Sequence, residues 1–546
     1  AIYIDPPYNT GAKDWKYNND YVEGDDDYRH SKWLAFMERR LEIAKELLNP
    51  DDSVLIVTID EKEYLRLGML LEQVFPEARM QMVSTIINFA GSSRPEAFAR
   101  TDEYVFIVMI GSAGPTPQPL GTEWMTGKGN HRRSSLYWNE LMRTGPGSAR
   151  SDSPNLFFPI YLTPDSRKFH SVGEAIPFDQ DRREVTHPDG VIVRWPIRRD
   201  GSEGRWRVSS SGVRALIQAG HIRLGRARGA DTTLQYLSRG EIKKLNDGVF
   251  TVKSRRVDGS VEVDAEGYIP KYLPGTQWRI PGHDASANGS SLLHLVLGDR
   301  RFTYPKSLYA VEDVLRFFVA EKSDATILDF FSGSGTTAHA VMRLNKQDGG
   351  RRQCISVTNN EVSAEEQRGL RKENLRPGDP EWEALGICDY VTKPRIRAAI
   401  TGKTPQGDPI KGDYKFTDEF PMADGFEENA AFFTLTYEAP LSVRHNRAFE
   451  RIAPMLWMWA GSQGRIITDL GEDGWDVAET YGVLENLDQA GDFVAWVAET
   501  ESVKTAFIVT DDDSAFQMVC RDLPSAVLPV RLYESYLQNF MLRGGR

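Results

Sequence analysis

The stretch Ile327-Leu328-Asp329-Phe330-Phe331-Ser332-Gly333-Ser334-Gly335-Thr336-Thr337 constrains this chain more than any other. An apolar run ends in a turn with two glycines, and helical spacing resumes over Ala338–Asn345. Strand, glycine turn and helix in that order predict an open α/β sheet, whose ligands bind beyond the carboxyl ends of the strands. Glycine there lets the backbone come close to a ligand. Glu361 follows the next predicted strand, Gln353–Thr358. An acid at that place in a Rossmann-like sheet accepts ribose hydroxyls. Taken alone, the stretch also fits an ordinary strand–turn–helix with glycine for tight packing.

A second motif sits at the opposite end of the chain. Ala1–Ile4 reads as a short buried strand, and it runs into Asp5-Pro6-Pro7-Tyr8-Asn9. Two prolines fix the backbone and keep it from continuing as helix or sheet. Asp5 is thereby held at the strand tip with an aromatic ring three residues on. A carboxylate and a carbonyl can accept both hydrogens of an amino group, and the ring can stack on a planar base. The plain alternative is a Pro-Pro turn followed by a solvent tyrosine.

Between and beyond these motifs the texture changes. Residues 1–111 alternate strand and helix, with helices expected over His30–Leu48 and Glu61–Phe75 and strands over Val54–Ile59, Val83–Phe89 and Tyr104–Ile110. From 112 to 300 Gly, Pro, Ser and Arg dominate, and one helix is expected, Ser209–Gly220. The α/β pattern returns over 301–400, with Leu308–Phe318 helical and Thr326–Phe331 a strand. Residues 401–430 read as a linker. Residues 431–546 read as a separate small α/β domain, with strands Phe432–Tyr437 and Thr505–Thr510 and helices Gln489–Glu499 and Ser514–Arg521. Its Trp457, Trp459, Trp475 and Trp496 are expected to pack in a core.

The formal net charge of -12 argues at first against a nucleic-acid partner, but it is unevenly spread. Residues 121–260 carry 24 Lys+Arg against 15 Asp+Glu, whereas 401–546 carry 12 against 24. A locally basic surface is what a phosphate backbone binds. The three cysteines, Cys354, Cys388 and Cys520, lack metal-ligand or redox spacing, so no metal site is expected and a reducing cytoplasm fits. No apolar run reaches the ~18 residues of a membrane span. The chain opens without Met inside an apolar strand, so a native start upstream is expected.

Asp-Pro-Pro-Tyr at 5–8 together with Phe-Ser-Gly-Ser-Gly-Thr-Thr at 331–337 resembles the amino-methyltransferases of restriction–modification systems, and the order of the two motifs resembles their beta group. The longer strings at 2–11 and 51–63 are similar to type III modification subunits, and Phe302-Thr303-Tyr304-Pro305-Lys306 lies just ahead of the glycine strand, as the family's cofactor-contacting segment does. Where that family usually has Lys-Pro, this chain has Lys306-Ser307.

The resemblance implies a Rossmann-like methyltransferase sheet with an inserted target-recognition domain at 112–300 and a C-terminal accessory domain. It implies S-adenosylmethionine as cofactor, held by Asp329, Phe331, Gly333, Gly335, Thr336, Thr337, Glu361 and Lys306. It implies double-stranded DNA as substrate, with a flipped adenine stacked on Tyr8 and its N6 amine held by Asp5 and the Pro6 carbonyl. Asp at the first position favours adenine N6 over the alternative, cytosine N4. A catalytically idle recognition subunit is the reading from another class. In the basic middle, Arg132, Arg133, Arg194, Arg198, Arg199, Arg223, Arg226 and Arg228 are the expected DNA contacts. A second copy of the chain and a restriction or helicase subunit are the protein partners left open.

Overall fold

The computed structural model describes residues 1–8, 28–94, 96–124, 135–266, 268, 271–302, 304–435 and 449–532. The chain divides into two units, Ala1–Asn429 and Ala430–Arg546.

The first unit is built on a seven-stranded sheet. Its strands, in chain order, are β1 (Ile2–Ile4), β2 (Asp52–Ile59), β3 (Arg79–Ile86), β4 (Asp102–Gly111), β5 (Gln277–Trp278), β6 (Thr326–Asp329) and β7 (Gln353–Ser356). In space the order is β5-β3-β4-β2-β1-β6-β7. Strands β2, β1, β6 and β7 are mutually parallel, with Ile2 paired to Leu55 on one side and to Leu328 on the other. Only β4 runs the other way, antiparallel to both β2 and β3. The two motifs at opposite ends of the chain therefore lie on adjacent parallel strands and leave the sheet at the same edge. Because β4 is reversed, its first residues, Asp102 and Glu103, come to that edge too.

The strands and helices follow from their apolar pattern. Strand β2 is buried along nearly its whole length, as a strand covered on both faces must be. Helix α1 (Arg29–Leu47) buries Trp33, Met37, Leu41 and Ala44, spaced three and four apart. Helix α2 (Tyr64–Val74) buries Leu67, Leu70 and Leu71. Both join β1 and β2 in one core with Tyr8, and Phe330 and Phe331 pack against it. Helix α3 (Leu308–Val319) precedes β6 and packs on α4 (Thr336–Asp348), with Glu312 bound to Arg343 at 2.5 Å.

Several elements differ from expectation. Strand β5 comes from the middle of the chain and pairs parallel with β3, so residues 277–278 belong to the large sheet. The rest of the middle forms small sheets, Ile160–Leu162 with Phe169–Val172 and Ile192–Arg194, and Ile222–Leu224 with Leu234–Leu237 and Trp138–Glu140. The expected helix forms at Ser210–Ala219, capped by Ser209 and ended by Gly220 at φ 79°. A second helix, Arg239–Asn246, was not legible because its polar faces hide the period. Residues 401–430 are packed and not a linker: Ile410, Tyr414, Met422 and Phe426 are buried, and Tyr414 donates or accepts at His339 Nε2 over 2.7 Å. The signal there is aromatic, and it was masked by the surrounding Gly, Pro and Asp.

The second unit holds a four-stranded sheet of Trp475–Val477, Tyr481–Leu484, Thr505–Val509 and Leu528–Leu532, in that order. Helices Ala490–Glu499 and Asp513–Asp522 form near their expected places. Residues 432–435 form no strand, and 436–437 lie outside the described residues. Trp457 and Trp475 are half-buried, but Trp459 and Trp496 are 51% and 55% exposed, contrary to the core expected for all four.

Candidate active site

Asp5 leaves β1 at the sheet edge and is tied by side chains from two distant elements and from Tyr8 in its own loop. Its Oδ1 accepts from Thr58 Oγ1 at 2.6 Å and from Tyr8 Oη at 2.7 Å. Lys306 Nζ lies 3.1 Å from the same oxygen and 3.0 Å from Glu103 Oε2, and it also donates to Tyr8 Oη. The Lys306 ammonium stands 4.5 Å from the centroid of the Tyr8 ring. Trp33 Nε1 donates to the Pro7 carbonyl at 2.7 Å, which fixes the Pro-Pro backbone from helix α1. Pro6 is buried and Pro7 half-buried. Burial, then the neighbouring Asp5 and Glu103 carboxylates, hold the Tyr8 phenol well above its usual pKa. Burial pulls the Lys306 ammonium down, but Asp5 and Glu103 outweigh it and leave its pKa above the ordinary lysine value.

The glycine loop follows β6 on the neighbouring strand. Asp329 is 2% exposed and folds the loop over itself: Oδ1 accepts from Phe331 N at 2.9 Å and Oδ2 from Thr337 Oγ1 at 2.6 Å. Burial pushes its carboxyl up to about 7 against the pull of those two hydrogen bonds, and the negative charge of Asp5 adds to the rise. Gly333 and Gly335 take φ 49° and 77°, a left-handed backbone that side chains resist. Gly335 caps α4, and a Cβ there would meet Thr392 Cγ2 at 3.3 Å. From behind, Thr392 Oγ1 donates to the Gly333 carbonyl at 2.5 Å, and buried Arg395 donates to Ser334 Oγ at 3.1 Å and Thr336 Oγ1 at 2.7 Å. Phe331 packs on Phe36. Glu361 lies just beyond β7, half-buried, with Asn359 donating to its Oε2 at 3.1 Å.

The loop suits a ligand approaching along its backbone. Ser332 Oγ is buried with no hydrogen-bond partner among the described residues, the unmet need that a bound polar group would satisfy.

The structure thus brings together Asp5–Tyr8, Asp329–Thr337 and, one strand further, Glu361. Lys306, expected beside the cofactor, is bound instead to the Asp5–Tyr8 loop. Glu103, Thr58, Trp33 and Arg395 were not read from the sequence. Thr58 had a faint signal, as a polar residue in the apolar run Val54–Ile59, whereas Glu103 sits ahead of the expected strand and had none. Of the expected DNA contacts, Arg132 and Arg133 lie outside the described residues. Arg194 donates to the Trp195 carbonyl at 3.0 Å, Arg198 to Ser148 at 2.9 Å, and Arg223 to Gln235 at 2.8 Å while covering the Trp138 ring. Arg199, Arg226 and Arg228 are exposed.

Residues 1–140 and 226–368, just over half of the chain, match the N6_N4_Mtase family of DNA methylases. The chain belongs to the DNA methylase family. Between the two matched segments, 141–225 falls within the basic middle; 369–546 is not matched either. The Mod subunit of the type III restriction-modification enzyme EcoPI of Escherichia phage P1 is 28% identical over 393 residues, 66% of this chain and 54% of the relative. The EcoP15I Mod subunit of Escherichia coli is 25% identical over 499 residues, 86% of this chain and 69% of the relative. This DNA methylase thus spans about half the length of the phage relative. The solved M1.HpyAVI-SAM complex aligns over 68% of the chain and 88% of its own at 10% identity, with a TM-score of 0.23.

Proposed function

We propose that the chain methylates the N6 amine of adenine at specific sites in double-stranded DNA, with S-adenosylmethionine as donor, as the modification component of a restriction–modification system. One observation carries this reading. An Asp-Pro-Pro-Tyr loop and a glycine loop separated by over 300 residues of chain leave adjacent parallel strands at one edge of the sheet. Two such loops facing one crevice suit a reaction between a planar base and a nucleotide-like cofactor.

S-adenosylmethionine, when bound, supplies an electrophilic methyl group on a sulfonium. In this chain Gly333 and Gly335 would let the backbone meet it closely, and Glu361 would accept its ribose hydroxyls. The target base must leave the stack to be reached. Tyr8 would stack on it, and the Asp5 carboxylate and Pro6 carbonyl would accept the two amine hydrogens. That turns the nitrogen lone pair out of conjugation and toward the methyl, and Asp5 stabilises the positive charge growing on nitrogen. Thr58 holds the Asp5 carboxylate in place through its short hydrogen bond. Of the expected contacts, the exposed Arg199, Arg226 and Arg228 would meet DNA, whereas Arg194, Arg198 and Arg223 are engaged within the middle segment. The two Mod-subunit relatives support a restriction subunit as partner. No described helix is long and apolar enough to cross a membrane.

Labelled methyl transfer to duplex DNA, followed by mapping of the modified base, tests the reading. N6-methyladenine at a defined site is expected. N4-methylcytosine would replace the substrate, and no transfer to any DNA would overturn the activity.

A further inference from the structure

The Lys306 ammonium stands where the proposed mechanism needs an amine. It is 3.1 Å from Asp5 Oδ1 and 4.5 Å from the Tyr8 ring centroid. A target amine held by Asp5 on a base stacked over Tyr8 would claim the same oxygen and the same ring. The lysine has a second anchor, Glu103 Oε2 at 3.0 Å. A small cavity lined by Tyr3, Thr58, Glu103 and His283 adjoins the lysine on one side. Neither carboxylate is stranded when it leaves. Asp5 keeps Thr58 and Tyr8, and Glu103 keeps Arg100 at 3.4 Å.

We infer that Lys306 is a displaceable stand-in for the target amine: it holds the Asp5–Tyr8 loop in its working geometry without DNA, and an incoming base pushes it off Asp5 while Glu103 retains it. This makes Lys306 and Glu103 positioning residues, and it rests on the reading that the loop binds a flipped base. The stand-in also sets a threshold. A base that cannot offer an amine to Asp5 has no means to replace the ammonium there, so entry selects for amino-bearing bases before any chemistry.

The test uses the full chain and a duplex carrying 2-aminopurine next to the mapped target adenine, which keeps its amine; the probe's emission rises as its neighbour leaves the stack. Lys306→Met removes the competitor. Emission should rise, and affinity for this duplex should tighten by at least about threefold with S-adenosylmethionine affinity unchanged. Glu103→Gln removes the resting place, so Lys306 stays on Asp5; emission should fall and binding should weaken severalfold. The double variant should behave like Lys306→Met, since without the lysine Glu103 has nothing to retain. Lys306→Arg keeps a competing cation and should match the parent in emission. If Lys306→Met does not fold, Lys306→Gln serves in its place. Dimmer emission and weaker binding in Lys306→Met overturn the inference and assign the lysine a supporting role. Lost S-adenosylmethionine affinity with unchanged emission overturns it in favour of a cofactor contact. A parent protein that lights the probe and methylates DNA, with variants that do not part as stated, sinks this inference alone. A parent that does neither sinks the methyltransferase reading and this inference with it.

Discussion

The two loops at the sheet edge are held by opposite means. The glycine loop is tied mainly to itself: Asp329 binds Phe331 N and Thr337, eight residues apart at most, and Thr392 and Arg395 brace it from one nearby helical turn. The Asp5–Tyr8 loop is tied to elements scattered along the first unit, with Trp33, Thr58, Glu103 and Lys306 all converging on four residues. The first is a largely local turn around a carboxyl that burial pushes up to about 7, braced by the Arg395 guanidinium. The second is a charged cluster whose members come from β1, β2, β4, helix α1 and the segment ahead of α3. A local turn tolerates change elsewhere in the molecule, whereas a convergent cluster depends on every strand that feeds it.

The largest effect expected from this contrast is at Asp5. Asp5→Ala should lower methyl transfer by about 10²–10³-fold or more while S-adenosylmethionine affinity by calorimetry stays within a few-fold. Equal loss of both would merge the two loops into one binding unit. Next comes Gly335→Val. A left-handed backbone costs a branched residue about 1–2 kcal/mol, before the approach to Thr392 is counted. Cofactor affinity and the thermal midpoint should both fall, and unchanged values would show that the loop has another conformation available.

A smaller effect sharpens the difference in charge. Because burial lifts the Asp329 carboxyl to about 7, the folded state binds its proton more tightly than the unfolded chain does. The stability that Asp329 contributes should therefore be fully present below the ordinary carboxylate value and be lost as pH rises from there through about 7. Asp329→Asn mimics the neutral acid, so its thermal midpoint should fall less between pH 5 and pH 8 than that of the parent. Parallel curves would mean that Asp329 is ionised throughout. The smallest effect concerns DNA. Arg226→Ala should flatten the slope of log K against log salt by about one unit, as expected for one phosphate contact. Arg223→Ala should instead lower stability with little change in slope, since Arg223 is committed to Gln235 and Trp138.

These contrasts also explain what could be read in advance. Strand, turn and helix around 327–337 are short-range events, governed by the apolar run, the glycines and the helical period, and all three stood in the sequence. The same holds for β1 ending at the prolines, for helix α1 with its spaced Trp33, Met37 and Leu41, and for the basic middle against the acidic end. That Ile2 pairs with Leu328 followed only by analogy with known sheets, because no local pattern records which strands are neighbours. Glu103 could not have been placed at the site, since its position depends on β4 running antiparallel and so delivering its first residues to the edge where the others end. Lys306 shows the limit most clearly. Its neighbours in sequence pointed to the cofactor, but a long flexible side chain goes where opposite charge is buried, and Asp5 and Glu103 lie together only once the sheet has formed. The sequence by itself thus determined the two motifs and the elements that carry them. The tertiary structure decided which charges meet, because Coulomb attraction depends on distance in space and chain separation does not enter it.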